Sequence, residues 1–120
     1  MLLWLALILT FGSFQQAVAE EPPVEERGRE IYLSYGCAVC HGKNGEGNGI
    51  NAKNFNPAPT NFHDLKDYRQ GTDKDSIHRS IKYGIKEESN IMPAFKDIDE
   101  KDIEKLVNFL VSLQKKEEIN

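Results

Sequence analysis

Two cysteines and a histidine stand close together in the run Cys37-Ala38-Val39-Cys40-His41. The C-x-x-C-H pattern is typical of covalent haem attachment, in which two thiols add to the porphyrin vinyl groups and the adjacent histidine binds the iron. Two intervening residues let both sulfurs reach one macrocycle. The pattern therefore predicts a single covalent haem c, attached at Cys37 and Cys40 and ligated by His41.

Three other interpretations of these cysteines are weaker. A structural zinc site needs four ligands, and the remaining candidates, His41, His63 and His78, lack zinc-finger spacing. A thioredoxin-like redox pair follows a strand, whereas the residues before Cys37 have a helical pattern. A plain Cys37–Cys40 disulfide gives His41 no role. We expect His63 and His78 to be at the surface and not on a metal.

A haem iron also needs a sixth ligand or an open position, and Met92 is the candidate for that ligand. It is the only methionine after Met1 and it precedes Pro93. Proline biases the residue before it toward an extended backbone, which would hold the thioether out from a loop between two helices. The alternative is a buried methionine that fills a gap in the core. We predict His41 and Met92 as the two iron ligands.

The first nineteen residues predict a cleaved signal peptide. Residues 1–14 are almost wholly apolar, and Ala17-Val18-Ala19 has the small-x-small pattern that precedes signal cleavage. No Lys or Arg precedes the apolar run, which departs from the usual pattern. The run is short for a membrane span. We expect a single domain over residues 20–120, exported to the bacterial periplasm, with no stable membrane insertion after cleavage.

Charge and composition exclude other classes. Fifteen Lys and Arg face nineteen Asp and Glu, for a net charge of −4, and no block of five like charges occurs. This balance argues against a nucleic-acid partner. No general acid or base constellation is evident near the cysteines, so no catalytic residue is predicted.

Amphipathic spacing predicts a short first helix that starts at Val24 and ends at Gly36. Gly28 lies on its apolar stripe. Because a glycine inside a helix costs about 1 kcal/mol, we expect Gly28 to allow another helix to cross closely. The other apolar positions of the stripe are Val24, Ile31, Tyr32 and Tyr35.

Two later helices are predicted from the same periodicity. One starts at Thr72-Asp73, where a capping residue is followed by early acids, and ends at Gly84. The other starts near Asp99, and its Phe109 is placed to meet Gly28. The apolar positions are Ile77, Ile81 and Ile85 in the first, and Ile103, Leu106, Val107, Leu110 and Leu113 in the second.

Residues 42–61 predict an irregular loop, because they hold four of the nine glycines, six asparagines and two of the five prolines. The glycines do not follow a strand and do not match G-x-G-x-x-G, so a nucleotide site is not indicated. A loop along the edge of a flat cofactor suits this stretch better. The carbonyl of Pro57 or Pro59 is expected to accept the second ring N–H of His41.

With these features in place, the chain resembles a small monohaem class I cytochrome c of the bacterial type over residues 24–114. The resemblance rests on C-x-x-C-H near the mature N-terminus, Met92-Pro93, and glycine and aromatic positions on the terminal helices. It implies an all-α fold in which the N- and C-terminal helices cross at Gly28 and Phe109. It also implies that His41 and Met92 lie on opposite faces of the iron, in a central crevice.

The function expected from these ligands is periplasmic one-electron transfer by a monomer. A six-coordinate iron has no open position for substrate, and a methionine sulfur raises the reduction potential. The partners would be membrane-bound or periplasmic redox proteins. Two alternatives remain: a haem enzyme or a gas or peroxide sensor with a labile Met92, and a cytochrome c subunit of a larger oxidoreductase.

The distribution of acids gives one expectation about docking. Asp97, Asp99, Glu100 and Asp102 begin just after the Met92 segment. Together with the net charge of −4, they predict a partner with a basic docking patch, and reaction rates that fall as salt screens the attraction.

Overall fold

The computed structural model describes Gly12, residues 17–87 and residues 90–114. Apart from Gly12, the apolar run of the predicted signal peptide lies outside the described residues. Ala17, Val18 and Ala19 are exposed and belong to no helix or strand. Within the described ranges, the model has no helix of sufficient length and apolarity to cross a membrane.

The described residues form a mostly helical domain, which confirms the predicted fold class. The helices are α1 (Val24–Ser34), α2 (Cys37–His41), α3 (Lys74–Tyr83) and α4 (Glu100–Leu113). Short 3-10 turns at Ala52–Asn54 and Leu65–Asp67 interrupt the long segment between α2 and α3. A hairpin of strands β1 (Ile85–Glu87) and β2 (Asn90–Met92) joins α3 to the segment before α4.

The first and last helices cross at Gly28, as the sequence predicts. A Cβ added there would lie 2.4 Å from the backbone oxygen of Lys105 and 2.5 Å from the Cβ of Phe109. Only a residue without a side chain allows this approach. The close crossing of α1 and α4 is therefore specified by Gly28.

Helix α1 buries a narrower stripe than the sequence predicts. Ile31 and Tyr32 are almost fully buried, but Val24 and Tyr35 are 52% and 41% exposed. Val24 is the first helical residue, and Tyr35 follows the last one. The buried stripe of α1 is therefore limited to the middle of the helix, around Gly28, Ile31 and Tyr32.

Two aspartates begin the later helices. The carboxylate of Asp73 accepts a hydrogen bond from the backbone N–H of Ser76, and that of Asp99 accepts one from the N–H of Asp102. Each bond pairs a backbone donor that the first turn of a helix leaves unsatisfied. The predicted start positions are thus confirmed.

The core lies between α1, α3 and α4. Its most deeply buried side chains are Tyr32, Ile31, Ile103 and Leu106. Ile77 and Ile81 of α3 pack into the same cluster, together with Phe62 from the long loop. Residues of α2 and of the hairpin, among them Cys37 and Met92, pack against this cluster and belong to the site described below.

The hairpin was not predicted from the sequence, and Ile85, which was expected on the apolar face of the helix that starts at Thr72-Asp73, lies in β1 because α3 ends at Tyr83. The antiparallel register of the hairpin pairs Ile85 with Met92 and Lys86 with Ile91. The extended backbone that Pro93 favours at Met92 is realised as a strand and not as an open loop. Strand β2 ends at Met92, since Pro93 has no N–H with which to continue the ladder.

Candidate functional site

The four residues singled out in the sequence, Cys37, Cys40, His41 and Met92, line one cleft. About 1130 Å³ of empty space, including solvent at the open mouth of the cleft, lies between the lining residues. Its walls are largely apolar, and the contributors include Phe55, Phe62, Ile77, Ile81, Phe95 and Leu110.

Both cysteines belong to one turn of helix. Residues three apart lie on the same helical face, so α2 presents Cys37 and Cys40 together, with His41 as its last residue. Gly36 precedes the helix with a φ of +76°. This left-handed conformation, which favours glycine, allows the chain to turn sharply from α1 into α2.

Cys37 and Cys40 do not form a disulfide with each other. Burial, with a smaller contribution from Cys40, raises the pKa of the Cys37 thiol to about 11. No group of three or more His, Cys, Asp or Glu side chains within the described residues could hold a metal ion, so the zinc alternative finds no support in the described part of the chain.

The His41 ring is held in one tautomer. Its Nδ1 lies 3.1 Å from the backbone oxygen of Thr60. A carbonyl oxygen can only accept, so Nδ1 carries the proton and Nε2 keeps its lone pair for a metal. Burial lowers the pKa of His41, although the Thr60 hydrogen bond and the charge of Asp67 raise it. The imidazole is therefore neutral at neutral pH, the form that ligates metals.

The carbonyl that accepts the hydrogen bond from His41 is not the predicted one, which was that of Pro57 or Pro59. Both prolines line the cleft, but the acceptor is Thr60, one residue after Pro59. The Pro59 carbonyl is packed instead against Gly47, where an added Cβ would lie 2.4 Å from it. That contact points the Pro59 carbonyl at the neighbouring loop.

The sequence analysis did not predict a second contact to His41, which comes from Phe62. The ring of Phe62 stacks on the imidazole, with centroids 4.5 Å apart and an angle of 26° between planes. Phe62 is 8% exposed although it lies in a polar loop. A large aromatic residue between Asn61 and His63 was the available signal, because such a side chain is seldom left in water.

Met92 is positioned by its hairpin and by the end of α3. It is partly buried and packs against the core. Gly84 follows α3 with a φ of +72°, and a Cβ there would lie 2.6 Å from the Met92 oxygen. Beyond Pro93, the N–H of Phe95 donates to the Ile81 oxygen at 2.9 Å. The segment that carries Met92 is therefore fixed on both sides.

The other two histidines do not line the cleft. Nε2 of His63 lies 2.7 Å from the Asn44 oxygen, and Nε2 of His78 lies 2.8 Å from Oε2 of Glu100. Glu100 is also paired with Lys82. Both histidines are half-buried rather than fully exposed, and both lie outside the cleft.

The acids after Met92 are largely engaged within the domain. Glu100 pairs with His78 and Lys82, and Asp102 lies 3.7 Å from a guanidinium nitrogen of Arg27. Asp99 caps α4. Their combined outward field is therefore weaker than the count of acids in the sequence suggests.

The residues of the cleft fit a covalent haem. Two thiols on one face of α2 would form the thioethers, and the neutral His41 would ligate the iron. The apolar walls suit the macrocycle, which gains from leaving water. Arg69 lines the same cleft and would be the cation available to the haem carboxylates.

Comparison with known proteins gives three findings. The family model for cytochrome c matches residues 25–114. Over 108 residues the chain is 31% identical to cytochrome c oxidase subunit 2 of Alkalihalophilus pseudofirmus, an alignment that covers 82% of this chain and 29% of that subunit. A chain of the reducing HAO-like protein complex of Kuenenia stuttgartiensis is 31% identical with a TM-score of 0.64, covering 79% of this chain and 46% of that one. The chain thus spans less than half of either relative.

Proposed function

This chain belongs to the cytochrome c family, and we propose that it is a one-electron carrier whose haem iron is ligated by His41 and Met92. A cytochrome c holds haem c covalently, and Cys37 and Cys40 would form the two thioether bonds. The observation that carries the proposal is the convergence of these four residues on a single apolar cleft.

Bound haem supplies the chemistry, a reversible exchange of one electron at its iron. The protein's contribution is to hold both ligands. Thr60 keeps the His41 imidazole in the tautomer that ligates through Nε2. The hairpin and Gly84 hold Met92 at the cleft. As an iron ligand, the Met92 thioether would favour the reduced state and would take the place that a substrate needs.

Two features of the cleft support electron transfer over substrate chemistry. The side chains that line it offer few ionisable groups, among them His41, Arg69 and Glu87. Of these, His41 is committed to the iron in the proposal. A general acid or base would have to sit within hydrogen-bond reach of a reacting group. The walls formed by Phe62, Phe95 and other residues are instead largely apolar.

We propose export to the periplasm for the mature domain of residues 20–120. The predicted cleavage site at Ala17-Val18-Ala19 is exposed and precedes α1. Cleavage after Ala19 would leave the helical domain intact. The proposed partners are membrane-bound or periplasmic redox proteins, and a basic docking patch on the partner remains our expectation from the net charge of −4.

A second candidate function is a role as the cytochrome c subunit of a larger oxidoreductase. The observation that favours it is the size of the relatives, since the chain aligns with 29% of an oxidase subunit and 46% of a chain from a multi-protein complex. In that role the domain would carry electrons within an assembly, and the ligands of the iron would be the same.

The test uses the full-length protein expressed together with a cytochrome c maturation system. We expect a haem-stained band on a denaturing gel, lost when Cys37 and Cys40 are both replaced by Ala. A potentiometric titration should follow a single one-electron step. The reduced protein should not bind carbon monoxide, because Met92 fills the sixth position. Ready binding of carbon monoxide by the wild-type protein would instead favour the sensor or enzyme alternative.

A further inference from the structure

The contact between Phe62 and His41 is more specific than general core packing. The two rings are nearly parallel, with centroids 4.5 Å apart. The other ring contacts of Phe62 are edge-on or tilted, to Tyr32 at 6.3 Å and to Tyr68 at 6.0 Å. Of the three described rings that Phe62 contacts, only the predicted iron ligand is stacked on it.

The hydrogen bond to Thr60 does not by itself fix the plane of the imidazole. A single bond from Nδ1 to the Thr60 oxygen, 3.1 Å long, restrains the direction of one ring atom. Small rotations of the ring about its Cβ–Cγ bond can still occur with little loss of hydrogen-bond geometry, because acceptor angles at a carbonyl are broad. A stacked ring removes this remaining rotation.

Phe62 is itself firmly held. Its N–H donates to the Gly45 oxygen at 2.8 Å, and its own carbonyl accepts from the Tyr68 hydroxyl at 3.0 Å. Its side chain is 8% exposed, and a Cβ added at Gly45 would lie 3.0 Å from its ring. A ring with so little room transmits its orientation to whatever stacks on it.

We propose that Phe62 is a positioning residue that sets the plane of the His41 imidazole, and through it the electronic structure of the iron. The inference rests on the proposed ligation by His41. The orientation of the imidazole plane decides which iron d orbital its π system overlaps. The g values of the ferric low-spin protein report that overlap directly.

Phe109 provides a matched control for Phe62. It has the same side chain and is 7% exposed, and its ring also meets the edge of Tyr32, at 5.6 Å. Its described ring contact is with Tyr32 and not with His41. Replacing either phenylalanine by Leu therefore removes a similar amount of core packing, but only Phe62→Leu removes the stack.

The experiment is electron paramagnetic resonance of the ferric holoprotein. We expect Phe62→Leu to shift and broaden the g values relative to wild type, and Phe109→Leu to leave them unchanged. Phe62→Tyr keeps an aromatic face and should restore the wild-type spectrum. Superimposable spectra for wild type and Phe62→Leu, or an equal shift in Phe109→Leu, would overturn the inference.

A second measurement needs no variant and decides the matter if Phe62→Leu does not fold. In the reduced wild-type protein, proton NMR should show cross-relaxation between the Phe62 and His41 rings, and its absence would overturn the inference. The two proposals fail differently. A wild-type ferric spectrum without a low-spin signal contradicts the proposed ligation, whereas a low-spin wild type with insensitive variants contradicts only the role of Phe62.

Discussion

Replacing Gly28 by Ala tests the helix crossing on which the cleft is built. The new methyl group would lie 2.4 Å from the Lys105 oxygen and 2.5 Å from the Phe109 Cβ. Favourable carbon contacts lie at about 3.5–4.0 Å, so the two helices must move apart by about 1 Å. The Lys105 oxygen is a backbone atom, and the Phe109 Cβ is bonded directly to the backbone of its own residue. Neither atom can therefore rotate away from the new methyl group.

The expected loss of folding free energy follows from two opposing effects. Overpacking a well-packed core costs about 1–3 kcal/mol. Because both contacted atoms are fixed, we expect the upper end of this range, about 3 kcal/mol, for Gly28→Ala. The greater helix preference of Ala offsets about 1 kcal/mol. The net loss of about 2 kcal/mol would lower the melting temperature by about 8–16 °C in a domain of this size.

The assay is guanidinium unfolding of the holoprotein, followed by far-ultraviolet circular dichroism. Arg29→Ala is the control, because Arg29 is exposed on the same helix, next to Gly28. We expect the control to stay within about 0.5 kcal/mol of wild type. A Gly28→Ala protein as stable as wild type, or more stable, would refute the argument that Gly28 is needed for the crossing.

Three further predictions concern the Met92 segment, a helix cap and the surface charge. Gly84→Ala should weaken the near-infrared band of ferric sulfur ligation, because a Cβ there displaces the Met92 backbone from a position 2.6 Å away; an unchanged band would mean that the segment moves without cost. Hydrogen bonds from Ser76 lower the pKa of Asp73, so its stabilising contribution is present above the ordinary carboxyl pKa and is lost as pH falls through the lowered folded value. Asp73→Asn should therefore make unfolding less sensitive to pH in the acid range, as measured by guanidinium titrations at several acidic pH values, and an unaltered pH dependence would contradict this. Stopped-flow oxidation by a cationic complex should be faster than by an anionic one at low salt, with the rates converging as salt rises; the reverse order would show that lysines dominate the haem edge.

Much of the scaffold could be predicted because it depends on periodicity and on residues with few conformational options. Apolar spacing located α1, α3 and α4, and the aspartates at 73 and 99 marked two helix starts. Gly28 could be assigned to a crossing since a glycine in a bulky apolar stripe has a cost that a close contact offsets. The attachment motif directly gave Cys37, Cys40 and His41, three of the four site residues predicted from the sequence.

The contacts of His41 could not be predicted in the same way. Every residue has a backbone carbonyl, so nothing in the sequence distinguishes Thr60 from Pro57 or Pro59 as the acceptor. The choice depends on the path of an irregular loop, which tertiary contacts such as Gly47 against Pro59 decide. The stack on Phe62 depends on the same path.

The hairpin was missed for a different reason. Its strands are three residues long, Ile85–Glu87 and Asn90–Met92, too short for an alternating pattern to stand out. Pro93 correctly indicated an extended backbone at Met92. An extended residue without a recognised partner strand is indistinguishable from a loop.

The central claim is that Met92 ligates the iron opposite His41, and the most direct measurement is the near-infrared spectrum of the ferric protein with its reduction potential. Met92→Ala should abolish the sulfur band and lower the potential by roughly 0.2 V, a quarter of the ~0.8 V range that axial ligands span. Tyr83→Ala is the control, because Tyr83 is 66% exposed, ends the helix that precedes the hairpin and does not line the cleft; its band and potential should match wild type. A Met92→Ala protein that keeps both the band and the wild-type potential would contradict the account.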